Sequence, residues 1–311
     1  ISPITRCRGG QEPQNPESGN VMTRWLTRPR LSRGFYKAHG LSNDYLVFEE
    51  GDDWTATPAA IRAVCDRFSG VGSDGIVVLL SGAGRPSLRM FNPDGGEFER
   101  SGSGLRILAS CLLRMGRVGS EPFDVEVAGD TVSMTVHGEQ DGTYDVSVAM
   151  GLARVGPAAV GLDASAIDSD GSMLGPNGTS FRVVPVSVGN PHLVVFSPEL
   201  SEEMLAELGP FFAAHPALTH GANMQLAHPD GLARVKALIW ERGVGRTSAS
   251  GTSSCAVAVA SVVEGRVQPG TIDVEMPGGI LQVTVSEGLD VLLRGPVEAV
   301  MDGVLVREES E

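Results

Sequence analysis

The stretch ERSGSGLRILA (99–109) has a counterpart far downstream in ASGTSSCAVAV (249–259), and the serines that open the two turns, Ser101 and Ser250, are 149 residues apart. The same spacing separates Asp74 from Asn223, Gly116 from Gly265 and Asp124 from Asp273, while 147 residues separate Asn43 from Asn190. A near-constant offset held through five elements marks an internal repeat, and it limits the chain to folds with two equivalent halves. Each half reads as a strand (LSNDYLVF, 41–48; GNPHLVVF, 189–196), an amphipathic helix (58–68; 199–212), a second strand, the Ser-Gly turn with its helix, and then hairpins. Alternation in TVSMTV (131–136) and ILQVTV (280–285) predicts strands with one buried face.

The helices after the twin turns differ from surface helices. Leu105, Ile107, Leu108, Cys111, Leu112 and Leu113 leave almost no polar face, and from Cys255 to Val263 the apolar run is interrupted only at Ser261. A helix that is apolar all round must be covered all round, so each sheet is expected to curl about its own central helix, with Gly116 and Gly265 ending the two helices. The predicted fold is therefore α+β, with two pseudo-symmetric domains, each a curled, mostly antiparallel sheet around a central helix. The first domain covers 33–150 and the second 151–296. Residues 1–32, rich in Arg, Pro, Gly and Ser, read as a weakly ordered extension in which Met22 is an alternative start.

Composition narrows the function. The net charge of −14 is spread along the chain, which argues against nucleic acid or an anionic membrane as partner and favours a small polar ligand. No apolar run reaches the roughly 18 residues of a membrane span. Cys7, Cys65, Cys111 and Cys255 show no metal-ligand or disulfide spacing, so no metal is expected and a reducing cytoplasm is the expected location.

The first turn of a buried helix leaves backbone N–H groups unpaired, with the positive end of the dipole beside them, and an anion is their natural partner. Gly102, Gly104 and Gly251 let the backbone come close to a ligand. Two such helix starts facing each other would hold one carboxylate from both sides, with Ser101 and Ser250 on opposite faces of the neighbouring carbon. That geometry suits proton removal on one face and return on the other. Serine is also a preferred N-cap, and a capping role alone accounts for either serine taken singly.

With the motifs HGLSNDY, GVGSDG, FNPDGGE, GNPH, GAN and WERGVGRT in this order, the chain resembles the diaminopimelate epimerase family over about residues 34–305. The resemblance implies a pyridoxal-independent enzyme without cofactor, acting in lysine and peptidoglycan synthesis. It also implies that 297–311 returns to the first domain, and a homodimer that inverts one α-carbon of the amino acid diaminopimelate. It assigns substrate binding to Asn43, Asn92, Asn190, Asn223, Glu241 and Arg242, and carboxylate binding to Gly102 with Ser103 and Gly251 with Thr252. His192 is placed beside the reacting centre. The family's two catalytic cysteines are Ser101 and Ser250 here. A thiol has a pKa near 8.5 and an alkyl hydroxyl lies several units higher, so full ionisation costs on the order of 6 kcal/mol more unless the site compensates.

Three activities fit: epimerisation with the serines polarised by His192, Glu99 or Glu241; a divergent isomerase or dehydratase acting on another amino acid; and non-catalytic amino-acid binding. Glu97 and Glu99 read more readily as surface or capping charges than as substitute bases. GVGSDG also satisfies GxGxxG, but a helix precedes it and an apolar strand follows, the reverse of a dinucleotide site. Neither serine has the GxSxG surroundings of a hydrolase nucleophile.

Overall fold

The computed structural model describes residues 34–51, 54–82 and 84–306. The expected extension over 1–32 lies outside the described residues. Within them, the strands join two closed circuits, each wrapped around one helix.

In the first half Gly34–Gly40 pairs antiparallel with Asn43–Glu49, which pairs parallel with Gly75–Leu79 and so onward through Ser87–Phe91 and Phe123–Val127. Asp130–Gln140 and Thr143–Leu152 continue antiparallel, and the long strand Asp290–Val304 returns to Gly34–Gly40. In the second half Ser180–Ser187, Pro191–Phe196, Asn223–Pro229, Arg234–Glu241, Gly270–Met276 and Gly279–Val285 follow the same sequence of pairings, ending on the start of Asp290–Val304. Arg154–Val155 closes this circuit against Ser187 and Val186. The long strand thus belongs to both circuits: Val291–Arg294 pairs with the second half and Glu298–Val304 with the first.

The central helices are Gly102–Arg114 and Gly251–Val263. Every residue from Gly102 to Leu112 and from Gly251 to Ser261 is buried, as their apolar circumference requires. Both helices begin alike: the Ser101 hydroxyl accepts from Gly104 N–H at 3.1 Å and the Ser250 hydroxyl from Ser253 N–H at 3.4 Å. They also end alike, on Gly116 and Gly265, each at φ 64°. There Arg117 N–H reaches Leu112 O and Arg266 N–H reaches Ser261 O, which satisfies carbonyls left open by the helix end.

Strand alternation sets the layers. Tyr45 and Val47 face the central core, while Leu46 and Phe48 face an outer layer under the helix Pro58–Cys65. That helix is shorter than its pattern predicts because Asp66 turns the chain, its carboxylate accepting from Phe68 N–H and Ser69 N–H. In the second half Leu193 and Val195 meet the helix Glu202–Ala213. Among the described residues no helix is long and apolar enough to cross a membrane.

Among the buried side chains of the central helices one is charged. Arg106 is 0% exposed, donating to Gly102 O at 3.2 Å and Pro296 O at 3.0 Å. Space for its guanidinium comes from two glycines: a Cβ on Gly40 would fall 2.9 Å from Nη2, and one on Gly295 would fall 2.7 Å from Nη1. Burial lowers its pKa to about 10, so it stays charged at neutral pH.

Candidate active site

The two central helices meet at their first residues. A Cβ built on Gly102 would lie 3.4 Å from Gly251 Cα, and one on Gly251 would lie 3.2 Å from Gly102 Cα, with Leu293 Cδ2 within 3.0 Å of both. No residue larger than glycine fits this contact without displacement. Ser101 and Ser250, each one residue earlier, line a single cavity of about 580 Å³.

Of the residues expected at the site, Asn43, Asn92, Ser101, Gly102, Ser103, Asn190, Asn223, Glu241, Arg242, Ser250, Gly251 and Thr252 all line this cavity. His192 does not, and the expectation that it polarises a serine needs correcting. It is 0% exposed behind Asn190, its Nε2 2.8 Å from Asn190 Oδ1 and its Nδ1 3.0 Å from Gln225 Nε2. Gln225 donates to Nδ1, so the proton sits on Nε2 and is given to Asn190. Burial holds its pKa down at about 3, which keeps the ring neutral. His192 therefore orients an asparagine. The Asn190 Nδ2 group in turn donates to Thr252 Oγ1 at 3.3 Å, on the first turn of the second central helix.

Glu241 lines the cavity with Ser250, whose hydroxyl acts on its carboxylate. Burial, opposed in part by that hydroxyl, raises its pKa and makes it a stronger proton acceptor than a solvated carboxylate. Glu99 lines the cavity, whereas Glu97 lies outside it in an ion pair with Arg89 at 2.6 Å. That hydrogen bond holds the Glu97 carboxyl low, which unsuits it as a base.

Several cavity residues escaped the sequence reading. Tyr45 and Asp74 line it, as do Arg100, Arg246 and Thr247. Asp74 is tied to Arg67 at 2.6 Å and accepts from Asp44 N–H at 3.1 Å. Burial and the Asp44 charge raise its pKa. The carboxylates and guanidiniums together suit a zwitterion. Two lining side chains, Asn43 through Oδ1 and Thr247 through Oγ1, carry buried acceptor atoms with no hydrogen-bond partner among the described residues. A buried polar atom without a partner is costly, and a ligand bearing ammonium or hydroxyl groups would satisfy both. Among the described residues no cysteine lines the cavity, and no group of three or more His, Cys, Asp or Glu could hold a metal.

A family model described as "Diaminopimelate epimerase" matches residues 35–155 and 184–300. A diaminopimelate epimerase of Desulforudis audaxviator is 37% identical over 88% of this chain and 99% of its own length. One named diaminopimelate epimerase 2 from a Nostoc species is 34% identical over 88% and 96%. Among solved structures, a hydroxyproline epimerase of Agrobacterium vitis with bound trans-4-hydroxy-L-proline superposes with a TM-score of 0.66 at 15% identity, covering 88% of this chain and 90% of that one. A phenazine biosynthesis protein of Bacillus anthracis gives 0.62 at 14% identity over 88% and 99%. At these identities the structural likeness concerns the fold.

Proposed function

The chain belongs to the diaminopimelate epimerase family, an amino-acid epimerase family, and on that premise we propose that it inverts the α-carbon of diaminopimelate between the LL and meso forms, with Ser101 and Ser250 on opposite faces of that carbon. The observation that carries the reading is the contact of the two helix starts at Gly102 and Gly251, which brings the first turns of both helices to one place beside a cavity that Ser101 and Ser250 both line. The substrate carboxylate sits at the N–H groups of these first turns. Its negative charge is met by two helix dipoles, and the same groups stabilise the charge that spreads into the carboxylate when the α-proton leaves.

A free serine alkoxide is not required. At Ser250 the Glu241 carboxylate stands beside the hydroxyl, so the oxygen takes the α-proton as its own proton moves to the carboxylate. The raised pKa of Glu241 favours this transfer. Binding of the distal end falls to Asn43, Asn92 and Arg242, with Asn43 Oδ1 free to accept from an ammonium group.

The test is incubation with LL- or meso-diaminopimelate in D2O, following Cα deuterium by NMR and inversion by chiral chromatography. Deuterium entry with inversion is the expected result. Binding without any exchange would refute the epimerase reading in favour of a non-catalytic one, and exchange confined to another amino acid would refute the substrate.

A further inference from the structure

Tyr45 lines the same cavity as Ser101. It follows Asn43 by two residues in HGLSNDY and is 5% exposed. The strand beside it makes room for its polar end: Tyr45 pairs with Gly75, and a Cβ there would fall 2.4 Å from the ring's Cε1 and 2.9 Å from Cζ. So placed, the phenol stands beside the Ser101 hydroxyl, which acts on its pKa. Burial, together with the negative charges of Glu241, Asp74 and Asp44, raises that pKa, so Tyr45 is protonated and has a proton to donate.

A hydroxyl has one proton to give and two lone pairs with which to accept. Ser101 accepts from Gly104 N–H at 3.1 Å, and Tyr45 is the neighbouring donor for its second lone pair, an arrangement that leaves the Ser101 proton to donate. Ser250 accepts from Ser253 N–H, and Glu241 is the neighbouring acceptor for its proton, an arrangement that leaves one lone pair open. The two serines are therefore set up unequally: one face presents a proton and the other a place for a proton.

Building on the epimerase reading, we propose that Tyr45 is the proton reserve of the Ser101 face, acting through Ser101. For the epimer whose Cα–H faces Ser250, the Cα–H bond breaks, its proton passes to Ser250 Oγ, and the Ser250 proton passes to Glu241. On the opposite lobe of the resulting carbanion the Ser101 proton forms the new Cα–H bond, while the phenol proton moves to Ser101 Oγ. One proton leaves carbon and one returns to it. Glu241 ends protonated and Tyr45 ends as phenolate, a pair that is reset by exchange with water or by a turnover in the other direction.

The full chain and its Tyr45→Phe variant are compared in D2O with LL- and meso-diaminopimelate, reading inversion and deuterium entry without inversion separately. The ring of Phe fits the same place, and thermal unfolding confirms that the variant is folded. Loss of a proton donor on one face is expected to lower inversion about 100-fold, while exchange without inversion continues at the Ser250 face, so their ratio falls. A merely structural role would lower both together, and that result overturns the proposal. In a Ser101→Cys background the thiol carries its own acidic proton, so adding Tyr45→Phe should cost much less; an equal loss there also overturns it. If the unaltered chain exchanges no deuterium, the epimerase reading falls and this one with it. If the unaltered chain exchanges but Tyr45→Phe leaves the ratio unchanged, only the role of Tyr45 falls.

Discussion

Replacing Gly102 by alanine examines the meeting of the helix starts directly. The added methyl would lie 2.6 Å from Leu293 Cδ2 and 3.4 Å from the Gly251 backbone. Leu293 is 0% exposed and is held in the strand shared by the two circuits, so it cannot swing into solvent. Overpacking of this kind costs about 1–3 kcal/mol. At roughly 2–4 °C for each kcal/mol in a chain of a few hundred residues, a drop of about 2–12 °C in unfolding midpoint is expected. Relief of the clash also pushes one helix start away from the other, so affinity for an amino-acid carboxylate should fall by more than stability alone explains. Gly104→Ala is the control: the nearest atoms to its methyl are Val77, Met90 and Ser101 side chains at 3.3–3.4 Å, and alanine adds up to about 1 kcal/mol of helix propensity. Differential scanning calorimetry and isothermal titration with diaminopimelate read both quantities. If Gly102→Ala matched Gly104→Ala in midpoint and affinity, the two helix starts would not meet at the ligand, and the account of the site would fail.

Further outcomes follow from the titrating groups. Ser101→Cys with Ser250→Cys should raise the rate of α-deuterium exchange, because thiols ionise several units below hydroxyls; an unchanged rate would count against the serines as the groups that face Cα. The Glu241 carboxyl is raised above its ordinary 4.5 in the folded chain, so its contribution to stability is present below pH 4.5 and is lost as pH rises through the folded value. The Glu241→Gln variant should therefore gain in unfolding temperature over the parent as pH rises through that window, by a margin that levels off above it, while losing exchange. Asp74 shifts in the same direction, and Asp74→Asn should flatten the remaining slope. His192 should show no imidazole titration by NMR between pH 8 and 4. Since its pKa is depressed from 6.5, its contribution to stability is present above pH 6.5 and is lost as pH falls toward 3.

The parts legible in the sequence are those with local causes. Ser101 and Ser250 announce helix starts, Gly116 and Gly265 announce helix ends, and the apolar circumference between them can only be buried. What stayed hidden depends on distant partners. Arg106 sits inside an apolar helix because Gly40 and Gly295, on two other strands, leave room for its guanidinium. Tyr45 reads as an ordinary core aromatic of a strand, and only its pairing with Gly75 brings the phenol to Ser101. His192 reads as a candidate base from its motif, yet Gln225, 33 residues on, occupies its second nitrogen. The return of the last strand to the first half is expected from the resemblance, but the pairing of Asp290–Val304 with both circuits is long-range and periodicity does not encode it.

The repeat and its exceptions divide the work of the site. Gripping a carboxylate needs only backbone N–H groups, and backbone is what the halves share: the same caps, the same glycines at the contact, the same helix ends. Moving a proton from one face to the other needs unlike groups, and at corresponding positions the side chains differ. Arg106 has Cys255 as its counterpart 149 residues on, Asp74 has Asn223, and Tyr45 and His192 each stand two residues after their asparagine. The buried cation thus belongs to the first half alone, close to the helix start at Gly102, whose carbonyl it bonds. On the other side Glu241 meets Ser250. A symmetric pair of thiols works with like neighbours because a thiol gives or takes a proton near neutral pH. Hydroxyls lack that range, so a serine site needs an acceptor behind one oxygen and a donor behind the other, and Glu241 and Tyr45 stand in those two places.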